Sequence, residues 1–229
     1  MVTPDQLEHA YQKGLNAMGG FGEPPKLEPA QEYAIKGGYL SMSDALKCDR
    51  LNTYKYLGVQ PSNQRSQNGS AEAGIYLEGK IVEALELGGV TITSRGDRCR
   101  VSIHGIAHSG RLDGAVNSRQ QILEIKTIDE SGFEKNLQFN QPSPWNRPQV
   151  ELYLRSTLKP MALIIYVNRN DPTGVRVYEL TRDDDLWERI KSSVHRVAAA
   201  QSPKDVPRER IPLCKWCVYR DTCWDELPE

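Results

Sequence analysis

No stretch of the 229 residues approaches about eighteen consecutive apolar side chains, so nothing reads as a membrane span. The first residues, MVTPDQLEHAYQKG, lack both a basic leader and an apolar core, so a secretory signal is not expected and a cytoplasmic location is. There is no charge of one sign to spare. Lys and Arg total 29 against 30 acidic side chains, which gives a net charge of −1 and no global nucleic-acid signature. A local basic groove stays compatible with that balance, because distribution matters more than the sum. Five cysteines make an odd number, which argues against a disulfide framework and for metal binding or buried thiols. Repeats and low-complexity segments are also missing. A single domain, with or without an appendage, suits this length.

The order of elements follows from periodicity and punctuation. Thr3-Pro4-Asp5-Gln6 predicts a capped helix start, and Gly19-Gly20 its end. A Pro/Gly-rich linker follows, so residues 1–40 are expected to form a helix plus an arm. Ser41 is expected to open a helix of about three turns through Tyr56, and Ser70 a second one that Gly88-Gly89 terminates. The pattern then turns to period two. VTITS and CRVSIHG predict a hairpin around Arg95-Gly96-Asp97, and GRLDGAV and QILEIKT a second one. The stretch after Thr127 reads as irregular. RPQVELYLRSTL is helical, MALIIYVNR and GVRVYEL are apolar strands, and RDDDLWERIKSSVHRVAAA is a helix with an acidic first turn. The expected class is α/β, with one central mixed sheet flanked by helices.

The second hairpin carries chemistry. With a symmetric turn at Asn117-Ser118-Arg119-Gln120, Val116 faces Gln121 and Asp113 lands opposite Glu124. Lys126, two residues beyond Glu124, shares its face. Facing acids repel, and exposed strands would settle the matter with a surface salt bridge. Leu112, Ile122, Leu123 and Ile125 instead make these strands apolar on both sides, hence central. Partly buried acids need cations, and beyond Lys126 a divalent ion with oxygen ligands, magnesium or manganese, suits them. Gln149 and Tyr153 share one helix face.

Gly110-Arg111-Leu112-Asp113, then Glu124-Ile125-Lys126, then Gln149-x-x-x-Tyr153 resembles the GxxD…ExK…QxxxY series of RecB-like nucleases in the PD-(D/E)XK superfamily. The spacings are 11 residues from Asp113 to Glu124 and 23 from Lys126 to Gln149. Gly74-Ile75-Tyr76-Leu77-Glu78 falls where that family has its first motif, with Glu78 in place of a frequent histidine, as in lambda-exonuclease-type phage enzymes. The resemblance implies a restriction-endonuclease-like core. It makes Asp113, Glu124, the Ile125 carbonyl and Glu78 metal ligands, Lys126 the group that positions water and stabilises developing charge, and Gln149 and Tyr153 the holders of Lys126 and the scissile phosphate.

A second constellation is Cys214-x2-Cys217-x5-Cys223, three thiols short of a four-ligand site. Cys48 and Cys99 are the candidates for the fourth. The segment around Cys48 is similar to the S-x-S…C-x-R-x3-Y stretch of iron–sulfur RecB-like nucleases, among them CRISPR-adaptation and AddB-type exonucleases. That likeness implies a 4Fe–4S cluster on Cys48, Cys214, Cys217 and Cys223, forming a C-terminal tail on a single domain over residues 41–229. Zinc is the competing metal, and Cys99 reads as a buried strand thiol. Trp145, Arg147 and Arg111 are expected to meet DNA.

Together these readings give a metal-dependent DNA exonuclease preferring single-stranded ends, in recombination, repair or phage DNA processing. Its expected partners are DNA with single-stranded ends or tails, no membrane, and a helicase or recombination protein. The competing reading is a non-catalytic DNA-binding or adaptor protein with structural zinc. Electron transfer through a cluster is a third.

Overall fold

The computed structural model describes residues 1–22, 37–61, 68–117 and 120–225. Most of the expected linker, the middle of the polar loop after Tyr56, and the turn residues Ser118 and Arg119 lie outside the described residues.

Helix α1 spans Pro4–Met18. The Thr3 hydroxyl accepts the Gln6 amide, the Gln6 side chain accepts the Thr3 amide, and Gly19 ends the helix at φ 69°. Helix α3 spans Asn68–Leu87. Leu7, Tyr11 and Leu15 of α1 pack in one apolar cluster with Ile81, Val82 and Leu85 of α3. The approach is backbone to backbone: a Cβ at Gly14 would stand 1.6 Å from the Ala84 carbonyl oxygen. The first helix is therefore part of the core.

Strand β1, Tyr39–Ser41, leads into a short 3-10 turn over Met42–Asp44. Helix α2 begins only at Asp49 and runs to Tyr56. The continuous helix expected from Ser41 is broken for a visible reason. Leu46 sits in the left-handed region at φ 54°, and Cys48 is extended at φ −166° with its sulfur capping the Leu51 amide.

Strands β2, Arg98–Ile103, and β3, Ile106–Arg111, form an antiparallel hairpin. Its turn is His104–Gly105, with φ 47° and 80°, the doubly positive geometry that two-residue hairpins favour. This corrects the hairpin expected around Gly96; Thr93 contributes only an isolated bridge to Ala115. Strand β4, Gly114–Val116, pairs antiparallel with β5, Gln121–Ile128, in the expected register of Val116 with Gln121. Gly110 and Arg111, however, belong to β3. At Leu112 the chain leaves one sheet for another, held there by Leu112 N to Asp97 O at 3.0 Å and Gly96 N to Leu112 O at 2.9 Å. The single central sheet is thus two: a three-stranded sheet ordered β1-β3-β2 and a four-stranded sheet ordered β4-β5-β6-β7.

Strand β6, Met161–Asn168, runs parallel to β5, and β7, Val175–Thr181, antiparallel to β6. The segment read as irregular after Thr127 contains helix α4, Glu130–Phe139, where the Asp129 carboxylate accepts the Gly132 amide at 2.9 Å. Helix α5 spans Arg147–Thr157, α6 Asp184–Ala199 and α7 Arg220–Asp225. Strands β5 and β6 are covered on both faces. Ile122, Ile164 and Tyr166 join a cluster with Leu152 of α5 and Ile190 of α6, whereas Leu123, Ile125 and Ile165 join the α1–α3 cluster. Each such aliphatic side chain contributes roughly 1.5–3 kcal/mol on burial. No helix among the described residues is long and apolar enough to cross a membrane.

Candidate active site

The three residues of β4 pair only as far as Gly114 with Leu123, so the edge of β5 beyond Leu123 is uncovered. A backbone donor left there needs a partner. Asp113, one residue before β4, supplies it: its Oδ2 accepts the Ile125 amide at 2.7 Å. Within a strand, the N–H and C=O of one residue point to the same side. The Ile125 carbonyl therefore faces the same open edge as the Asp113 carboxylate.

At that edge the two helical layers meet. A cleft of about 250 Å³ is lined by Gly74, Ile75 and Glu78 of α3, Asp113, Glu124 to Thr127 of β5, and Gln149 of α5. Glu124 is fully buried. The Lys126 ammonium stands 2.5 Å from its Oε1, and Oε2 has no hydrogen-bond partner among the described residues. One ammonium cannot offset three acids. Burial, then the Asp113 and Glu78 charges, push the Glu124 carboxyl up to about 8, against the pull of Lys126. Burial also raises Asp113, opposed by the Ile125 amide, Lys126 and Arg111. Glu78 is raised by burial first and by Asp113 second. For Lys126 burial acts downward, yet Glu124, Asp113 and Glu78 outweigh it and hold the ammonium above the usual lysine range.

A buried carboxylate oxygen with nothing to accept from is costly, and a cation removes the cost. The donor set is all oxygen, which suits magnesium or manganese. Among the described residues no three His, Cys, Asp or Glu side chains are drawn together as a closed cage. An open site on one or two carboxylates is what magnesium, which keeps several of its waters, uses.

Tyr153 is not in the cleft. It is 2 % exposed, and its hydroxyl donates to the Arg111 carbonyl at 2.8 Å while accepting from Gln149 Nε2 at 3.2 Å. Its ring explains Gly110, where a Cβ would come within 2.8 Å of it. Its hydroxyl thus ties Gln149 to the end of β3. Arg147 is also committed elsewhere, to Asp183 at 2.7 Å. Arg111 is exposed and lies in the fields of Asp113 and Glu78. Trp145 is 45 % exposed in the loop before α5, outside the cleft lining. Lys47, in the turn before α2, is lowered by burial first, with Asp44 opposing and Lys55 and Lys126 adding to it.

The cysteines assemble separately. Cys48, Cys214, Cys217 and Cys223 line one small cavity, together with Arg50, Arg208 and Arg220. None of them is in a disulfide, and Cys99 lies apart, buried in β2. Tyr54 and Tyr219 stack at 4.7 Å beside them. Burial raises the thiols of Cys48 and Cys217, with smaller upward contributions from neighbouring cysteines.

No family model matches this chain, and no curated protein matches it. Solved structures do. Two structures of the alkaline exonuclease LHK-Exo from Laribacter hongkongensis, one of them in complex with dAMP, superpose with a TM-score of 0.54 at 18 % identity, covering 71 % of this chain and 87 % of that one. A protein named SSO0001 gives a TM-score of 0.59 at 18 % identity and covers 96 % of this chain and 97 % of its own. A phage-related exonuclease from Haemophilus somnus 129PT gives 0.52 at 16 % identity, over 74 % and 95 %. The chain shares the fold of these solved structures.

Proposed function

We propose that this protein is a metal-dependent DNA exonuclease hydrolysing phosphodiester bonds, with a preference for single-stranded ends, in recombination, repair or phage DNA processing. The observation that carries the reading is the convergence of Asp113, Glu124 and Lys126 on one open strand edge, with an unpartnered carboxylate oxygen inside it. An exonuclease of the same fold bound to dAMP, a deoxynucleotide, supports DNA as the substrate class.

Asp113, Glu124 and the Ile125 carbonyl would hold magnesium or manganese, with Glu78 completing the shell directly or through water. When bound, the ion lowers the pKa of its water and polarises the phosphoryl oxygen. Lys126 orients the attacking water and stabilises charge developing on phosphorus-bound oxygen. Gln149, fixed by Tyr153, lines the wall against which the phosphate lies. Cys48, Cys214, Cys217 and Cys223 would hold a 4Fe–4S cluster, with the neighbouring arginines offsetting thiolate charge. Arg111 and Trp145 face DNA, and a helicase or recombination protein is the expected partner.

End-labelled single- and double-stranded DNA incubated with protein and manganese tests this. Loss of nucleotides from single-stranded ends, stopped by chelator and absent in Asp113→Ala, is expected. DNA left intact, or cleaved equally well in chelator, overturns the reading.

A further inference from the structure

Side chains alternate along a strand, so the three-stranded sheet has two faces. Leu40, Cys99, Ile103 and Ile106 share the inner one and join the cluster that contains Leu152 of α5 and Ile190 of α6. The outer face takes the alternate positions. There Arg98 lies directly opposite Arg111, and Arg100 opposite Ser109, in the β2–β3 register. All three arginines are exposed. Two arginines in one cross-strand pair repel each other, which costs stability unless opposite charge meets them. Among the described residues neither Arg98 nor Arg100 forms an ion pair, although Asp97 is next in the chain. Ser102, Ala107 and Ser109 complete this face of β2 and β3, so no large apolar side chain of these strands stands on it.

The arginine face runs into the catalytic edge. Arg111 ends β3 and Asp113 follows two residues later, so their Cα atoms are at most about 7.6 Å apart. Gly96 N donates to the Leu112 carbonyl at 2.9 Å, which seats the Arg95–Gly96 turn beside the same connection. Arg95 is exposed too, and with Arg111 it opposes the burial and the Asp113 charge that raise Glu78. From there the charge recedes along β2: Arg100 lies two residues beyond Arg98, about 6.6 Å along the strand.

We propose that the outer face of the three-stranded sheet is a track for the sugar–phosphate backbone of the substrate strand beyond the scissile bond, with Arg98 and Arg100 binding its phosphates. This rests on the nuclease reading and deepens it by naming the surface that holds the rest of the strand. A row of phosphates meets the unpaired charge, whereas a protein partner would need an apolar centre that these strands do not offer. Arginine grips phosphate with paired donors and reads no base, so the track holds any sequence.

The test uses full-length wild type, Arg98→Ala/Arg100→Ala and Arg98→Lys/Arg100→Lys. Two single-stranded substrates are compared, a dinucleotide confined to the cleft and an oligonucleotide of about 20 nucleotides, longer than most single-strand sites. Binding of the long strand is titrated at several salt concentrations with calcium replacing manganese, and KM and kcat are measured with manganese. The alanine variant is expected to raise KM for the long strand about tenfold at unchanged kcat, and to lower the slope of log K against log salt by about two phosphate contacts. Its dinucleotide kinetics should match wild type, and its Tm should not fall, because a pair of opposed like charges is relieved. The lysine variant should keep the wild-type slope, since the charge remains. An unchanged long-strand KM and salt slope in the alanine variant, or an equal rise in KM for both lengths, overturns the track while leaving the nuclease reading in place. Wild type that neither binds nor cleaves DNA overturns both.

Discussion

The Tyr153 hydroxyl donates to the Arg111 carbonyl at 2.8 Å, tying α5 to the last residue of β3 just before the chain crosses to the other sheet. The same oxygen receives Gln149 Nε2, so one buried group fixes both the wall of the cleft and the approach to Asp113. Tyr153→Phe should keep the fold and lose about 1 kcal/mol of stability, the usual worth of a buried hydrogen bond. Cleavage should fall severalfold, not vanish, because Phe leaves the acids untouched. Thermal unfolding and single-turnover rates measure the two effects, and complete loss of cleavage would return Tyr153 to a direct role.

Burial raises Glu124 to about 8, which makes metal-free stability depend on pH in a definite direction. The folded protein binds more protons than the unfolded chain between the ordinary carboxyl range and about 8. This group therefore makes the protein less stable as pH rises through that window. Added magnesium or manganese should reverse the trend, since it binds the ionised form. Metal-free Glu124→Gln should be inactive, yet unfold at higher temperature than wild type at pH 8.5, by about 2–4 °C for each kcal/mol regained. At pH 5 the two should coincide. Unfolding scans with and without metal at both pH values decide it, and a wild type more stable at high pH without metal refutes the proposed burial.

The four cysteines around one cavity predict a colour. Anaerobically purified protein should be brown with broad absorbance near about 400 nm, which zinc on thiolates cannot produce. Cys48→Ser should bleach it and lower stability, because Cys48 lies so far in sequence from the tail that cross-linking the two constrains a long loop. Cys99→Ser should leave the colour intact, since that thiol sits in β2 away from the cavity. A colourless protein with stoichiometric zinc would reassign the site.

Legibility in the sequence followed how local the cause was. The Thr3 cap, the apolar strands β6 and β7 and the acidic start of α6 are set by neighbours within a few residues, and they stand where periodicity placed them. The pairing of Val116 with Gln121 likewise follows from a short turn and a period of two. Helix α4 was not legible: its interior holds Gly132, and its start depends on an Asp129 cap followed by no regular apolar stripe. The break at Leu46 was hidden as well, because a leucine in the left-handed region carries no signal of its own.

Sequence alone named the groups that can act here: Glu78, Asp113 and Glu124 with Lys126, and the thiols of Cys48, Cys214, Cys217 and Cys223. Tertiary structure decided where they act. The short β4 leaves the edge of β5 open, so helices from opposite layers deliver Glu78 and Gln149 to the same opening. It also engaged Tyr153 with the Arg111 carbonyl and Arg147 with Asp183. Side-chain chemistry is written residue by residue, but desolvation and charge pairing depend on what the folded chain brings within a few ångströms, and contacts between distant segments leave no periodic trace.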